Sequence, residues 1–274
     1  MIITVSGSSY TINNPEYGYE SIIGLALIHT EVMPRGWEVW DNGDDKDFRT
    51  CRTVCILNAT DTKTLRGIFS ETAKGRGINF TLSLGTTSSG FFPFGPDYGD
   101  KGDFICRMMT VTAKPVLEEP WIHFRTELEF VLITAPAYSL LSQVSEGDLH
   151  IGTIQNLRYP PNMPESHFRY TINTQLTYDG TPYTVDKTSD PDFAGTKLQM
   201  VCNQSKAAAL INHLVDDVRA SQVNIIAQAN NYIFGNISGD ATYGTTWLDE
   251  AIVVTHNRFD EFEFQLNFYR KSES

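Results

Sequence analysis

Short runs in which Val, Ile, Thr, Tyr and Phe alternate with polar neighbours recur along the chain, the two-residue period of half-buried strands. Ile78, Phe80, Leu82 and Leu84 form one such run, and Val223, Ile225, Ala227 and Ala229 form another. Only two stretches carry the 3–4 residue spacing of an amphipathic helix instead: Leu65, Ile68, Phe69 and Ala73, then Leu210, Leu214, Val215 and Val218. Thr60 and Ser205 precede these stripes and are expected to cap the helices by accepting a backbone N–H bond. Gly75 and Gly77 stop the first helix. The class this predicts is mainly β with flanking helices.

The pattern is internally repeated. If the chain is laid on itself so that residue 40 falls on 185, residues up to 84 run ungapped against residues up to 229. Asp45, Asp47 and Phe48 then fall on Asp190, Asp192 and Phe193, Asn58 on Asn203, and Thr60 on Ser205. A closing strand ends each half, Glu127–Leu132 in the first and Glu261–Leu266 in the second, with Leu128 matched to Phe262. On that match the first half carries extra residues, assigned to a turn-rich excursion from Phe91 to Asp100. A further likeness between Thr4–Ile12 and Thr177–Val185 is offset from this register and marks a recurring hairpin type. The organisation expected is two tandem β-sandwich or barrel domains, each with one packed α-helix: residues 1–136, a linker 137–150, and residues 151–274.

Composition narrows the function. At 274 residues there is room for two cores. A formal net charge of −12 opposes phosphate-backbone binding, which needs clustered Lys and Arg. No stretch approaches the roughly 20 apolar residues that span a bilayer, so no membrane insertion is expected. The cysteines, Cys51, Cys55, Cys106 and Cys202, form no close-spaced framework and suit a reducing compartment.

Candidate chemistry is thin. The histidines at 29, 123, 150, 167, 213 and 256 show no zinc-type spacing, and His213 sits in the place of Ile68 as a partly buried packing residue. The acidic turn Asp41–Asp47 offers oxygen ligands but lacks the glutamate and glycine placement of an EF-hand, and Asn42-Gly43 is a hairpin signal. Glu127 with Glu129 and Glu261 with Glu263 place carboxylates on one strand face, which alternation alone explains. No nucleophile elbow, P-loop or dinucleotide fingerprint occurs. Neither cofactor nor metal is expected, nor enzymatic activity.

The most unusual feature is aromatic. Phe91, Phe92, Phe94 and Tyr98 lie in a Gly- and Pro-rich segment, with Tyr232, Phe234 and Tyr243 in the shorter counterpart. Exposed, they would anchor a partner protein or stack on sugars; folded back, they would cover their own domain.

The order of acidic turn, strand, capped helix, alternating strand, long excursion and final strand resembles the tail-tube-type domain of tailed bacteriophages and related contractile machines. There a β-sandwich with one flanking helix is the ring-forming unit, and hub proteins carry two in one chain. The resemblance implies a tail-tip, distal-tail or baseplate structural protein of the virion, assembled in the host cytoplasm. It further implies a homo-oligomeric ring, a trimer with pseudo-six-fold symmetry or a hexamer. Its other partners would be tube, hub, fibre or tape-measure proteins, and DNA would pass without specific binding. Two alternatives are a glycan- or receptor-binding module using the aromatic loop and a polysaccharide hydrolase using the glutamates.

Overall fold

The computed structural model describes the chain except residues 13–14, 16–17, 33–35, 43–47, 72–78, 117–121, 159–164, 170–171, 181, 187–191, 220, 222, 228–240, 249–250, 259 and 271–274. Among the described residues strands far outnumber helical turns, so the class is mainly β with flanking helices.

The first half runs β1 (Ile2–Val5), β2 (Ser8–Thr11), β3 (Tyr19–Gly24), β4 (Leu27–Val32), β5 (Gly36–Asp41), β6 (Phe48–Asn58), α1 (Ala59–Glu71), β7 (Phe80–Ser83), β8 (Asp103–Pro115) and β9 (His123–Thr134). The second runs β10 (Leu149–Ile151), β11 (Ile154–Leu157), β12 (Glu165–Arg169), β13 (Ile172–Leu176), β14 (Pro182–Asp186), β15 (Asp192–Cys202) and α2 (Gln204–Asn212). A π-helical turn, His213–Val218, prolongs α2. Then come β16 (Val223–Ala227), β17 (Ala241–Leu248), β18 (Ala251–Arg258) and β19 (Glu261–Arg270).

Strand pairing repeats between the halves. In the first, neighbours run β2-β1-β7-β8-β9-β6-β3; in the second, β11-β10-β16-β17-β19-β15-β12. Each half also sets aside a hairpin, β4-β5 and β13-β14. The counterpart of β8 is shared by two strands, since β17 and β18 both pair with β19 along one edge. The hairpin β1-β2 turns through Ser6 and Gly7, both at positive φ, as a two-residue turn between twisted strands requires. Its counterpart is β10-β11, whereas Thr177–Val185 belongs to β13-β14, so that likeness is one of hairpin type.

Two expectations need correcting. The helix caps are the matched asparagines, not Thr60 and Ser205: Asn58 Oδ1 accepts from Asp61 N at 2.8 Å, and Asn203 Oδ1 from Lys206 N at 2.9 Å. An asparagine reaches the N3 amide from just outside the helix, while Thr60 and Ser205 already lie inside it. The closing strands match in another register. Leu57 pairs with Phe124 and Cys202 with Phe262, so Phe262 stands on Phe124 and Leu266 on Leu128.

Each half has its own core. Leu65 and Ile68 of α1 pack with Cys51, Cys55 and Leu57 of β6, Phe80 and Leu82 of β7, Phe104 and Met108 of β8, and Leu128 and Phe130 of β9. Ala207, Leu210, Ile211 and Leu214 do the same for the second half, against Leu198, Met200, Phe264 and Phe268. Residues 135–147 have no regular structure, and β10 begins at Leu149, so the second unit starts inside the segment expected to be linker. Tyr138 pins that segment, its ring lying over Gly99 and its hydroxyl accepting from Gln204 Nε2 at 2.5 Å.

Candidate assembly interface

The two halves are joined edge to edge. β3 pairs antiparallel with β18 from Gly24↔Ala251 to Tyr19↔His256, making one continuous sheet of 15 strands among the described residues. Every second residue faces inward here, so Ile23 meets Ile252 and Ser21 meets Val254, all buried. The seam is broadened by chain that leaves the first half's core: Leu25, Leu27 and Phe92 belong to the second half's apolar cluster, with Val39 packed against it.

Gly24 lies directly beneath a neighbouring ring. The Phe48 ring covers it so closely that a Cβ there would sit 2.3 Å from Cε1.

The aromatic excursion is the clasp of this seam. Phe91, Phe92 and Phe94 are 3%, 6% and 0% exposed, so they are core residues and offer no surface to a partner or a sugar. The reason is that the segment's polar groups are satisfied inside the protein. Tyr19 Oη accepts from Phe92 N and contacts His256 Nδ1, both at 2.6 Å. The Ser21 hydroxyl lies 3.1 Å from the carbonyl oxygens of both Phe92 and Pro93, as donor. Phe92 meets Phe262 edge-on at 5.1 Å, His256 stacks on Phe262 at 4.7 Å, and Phe91 meets Tyr19 edge-on at 4.7 Å. Phe94 turns the other way, to Phe104 and Phe130 of the first core.

Tyr98 is half-buried, with the Arg49 guanidinium 4.2 Å above its ring. Tyr232 and Phe234 lie outside the described residues, and Tyr243 is in β17 opposite Ile225.

Two arginines fix the charge of the seam. Arg49 Nη2 lies 2.7 Å from Asp97 Oδ2, and Arg49 Nη1 donates to Asp97 Oδ1 and Phe94 O at 2.9 and 3.0 Å. Arg219, beyond α2, grips Asp41 at the end of β5 with two bonds of 2.7 and 3.0 Å. Between them lies a cavity of about 470 Å³, lined by Ile23, Arg49, Tyr98, Val215, Asp216 and Arg219. Burial raises the Asp216 carboxyl above its ordinary value, with Arg49 opposing. Burial lowers the His256 imidazole, against a hydrogen bond to the Arg258 backbone and the charges of Asp260 and Asp100.

Sequence reasoning passed over Tyr19, Ser21 and Arg49, which carry this clasp together with the expected inward-facing Phe262. Their partners lie far along the chain, and no local pattern marks them.

The remaining candidates are dispersed. His213 is buried where Ile68 stands, its Nδ1 3.0 Å from Asp217 Oδ2 and 3.2 Å from Thr153 Oγ1. Of the acidic turn, Asp41 is engaged by Arg219, and residues 43–47 lie outside the described residues. Glu127 pairs with Arg125 at 2.7 Å, Glu129 with Arg52 at 3.1 Å, and Glu263 is bonded by Gln199 and Asn257. All four thiols are buried; burial pushes Cys202 up to about 12 and Cys51 well above its ordinary value. Among the described residues, no three His, Cys, Asp or Glu side chains are grouped to hold a metal.

Compared with known proteins, the chain matches no family model and no curated sequence.

Proposed function

We propose that this chain is a structural protein of a phage tail tip or baseplate, three copies of which form a ring of six near-equivalent units. The ring connects the tail tube to the distal tip and surrounds the channel through which DNA passes. One observation carries the reading: two units of the same strand order are joined head to tail, β3 of one to β18 of the other. A head-to-tail contact uses a different patch on each partner, so it propagates, and it closes into a ring when the rotation permits. The net charge of −12 supports a channel that repels nucleic acid. Tube, hub, fibre or tape-measure proteins would then meet the two faces of the ring, with assembly in the host cytoplasm.

The glycan-binding alternative loses its motivation, because Phe91, Phe92 and Phe94 are committed to the two cores. Replacing them should unfold the protein, not erase sugar recognition. Solution mass and negative-stain imaging of the purified chain, with mass spectrometry of purified virions, test the proposal. Rings in the first and the chain in the second are expected; a monodisperse monomer missing from virions overturns it.

A further inference from the structure

The repeat predicts where a second copy attaches. We propose that the outer half of β8, Thr110–Pro115, receives β12, Glu165–Arg169, of a second copy of this chain as an antiparallel neighbour, in the register that β18 uses for β3. This rests on the ring reading above and gives it an address.

The equivalence follows from the strand partners. Asn203 stands on Asn58 as helix cap, so Cys202 stands on Leu57, and their partners Phe262 and Phe124 coincide. The residues opposite these, His256 and Pro115, coincide in turn, which lays Ala251–His256 on Thr110–Pro115. On the other flank Thr196 stands on Cys51, so Ser166, opposite Thr196, stands on Ser21, opposite Cys51. The sequence agrees, since Glu165-Ser166 repeats Glu20-Ser21.

Within one chain, then, the β3 flank of the first unit and the β18 flank of the second are joined. Their counterparts, the β12 flank of the second unit and the β8 flank of the first, are left over. β8 pairs with β7 only through Asp103–Cys106, and β12 pairs only with β15; among the described residues neither leftover edge has a strand partner. An unpaired edge of this kind is a template for another chain.

Carrying the seam's register across, Ser21↔Val254 becomes Ser166↔Ala113 and Glu20↔Thr255 becomes Glu165↔Lys114, both on the side of His167 before the β12 ladder shifts against β15. In this register an acidic position stands opposite a basic one. Val111 and Ala113 are half-buried and Thr112 and Lys114 exposed, so this stretch keeps the two-faced alternation of a regular strand. Lys114 also discourages β8 from pairing with another β8, as Glu165 does for β12, which selects head-to-tail joining. Pro115, lacking an N–H, occupies the last position of β8, where it removes at most one bond from the ladder.

Two measurements test this. Thr112→Cys with His167→Cys, which stand opposite in the proposed register, should give covalent multimers on non-reducing denaturing gels. Thr112→Cys with Ser166→Cys, on opposite faces, should not. The native thiols are buried and do not compete. Separately, Lys114→Glu or Glu165→Lys should each weaken self-association about fivefold, and the two together should restore it. Rings that persist without the cross-link and ignore both charge reversals would overturn the junction while leaving the ring itself standing. A protein that stays monomeric and is absent from virions would overturn both.

Discussion

Arg49, at one residue, joins the aromatic loop to the sheet. It and Asp97 are 11% and 2% exposed as side chains, so removing the guanidinium leaves a carboxylate buried without its counter-charge. Arg49→Met is therefore expected to lower unfolding free energy by about 3–5 kcal/mol, read from urea denaturation. His256 supplies a pH dependence at the same seam. Its folded value lies below the ordinary 6.5, so as pH falls below that point the unfolded chain binds a proton the native chain refuses. Stability should drop between pH 7 and pH 5.5, and His256→Gln should flatten that part of the profile; parallel profiles for the two proteins would refute this. The loop from Phe91 to Tyr98 was legible as a turn-rich excursion but misleading as a surface. Glycine and proline announce turns, yet they do not tell which side of the chain meets solvent. Tyr19, Ser21 and Arg49, which internalise the loop, lie more than forty positions upstream, roughly beyond the reach of any local pattern.

Among the elements, the helices and the strand that follows each were readable because two periodicities switch there, and the shared register of Asn58 with Asn203 held. Replacing either asparagine by alanine should cost about 1 kcal/mol, measurable as a shift in denaturation midpoint, whereas Thr60→Ala and Ser205→Ala should cost less than half that. The closing strands were recognised but misaligned for a physical reason. Alternation has a period of two, so any even slip preserves the inward face, and Glu-Leu-Glu-Phe matches Glu-Phe-Glu-Phe as well as the true partner does. Only the ladders Leu57↔Phe124 and Cys202↔Phe262 distinguish the registers.

For the whole molecule, the duplication could be read and the join could not, because β3 and β18 lie at opposite ends of the chain and edge pairing leaves no signature in either strand. The join makes the halves interdependent. Ile23, Leu25, Leu27 and Phe92 complete the core of the second unit, so residues 149–274 produced alone should expose apolar surface and bind a hydrophobic dye. The intact chain should melt in one calorimetric transition, and two resolved peaks would contradict the shared core.

The contact between Gly24 and Phe48 sits at the end of β3 that pairs with β6 on one side and β18 on the other, so a side chain added at position 24 must push the ring aside beside the seam. A small change of angle at this one seam in each copy, repeated from copy to copy around the ring, would let successive units miss their starting point and climb. Gly24→Val would then be seen under the electron microscope as open spirals or fibres of indefinite length, in which each subunit is still folded.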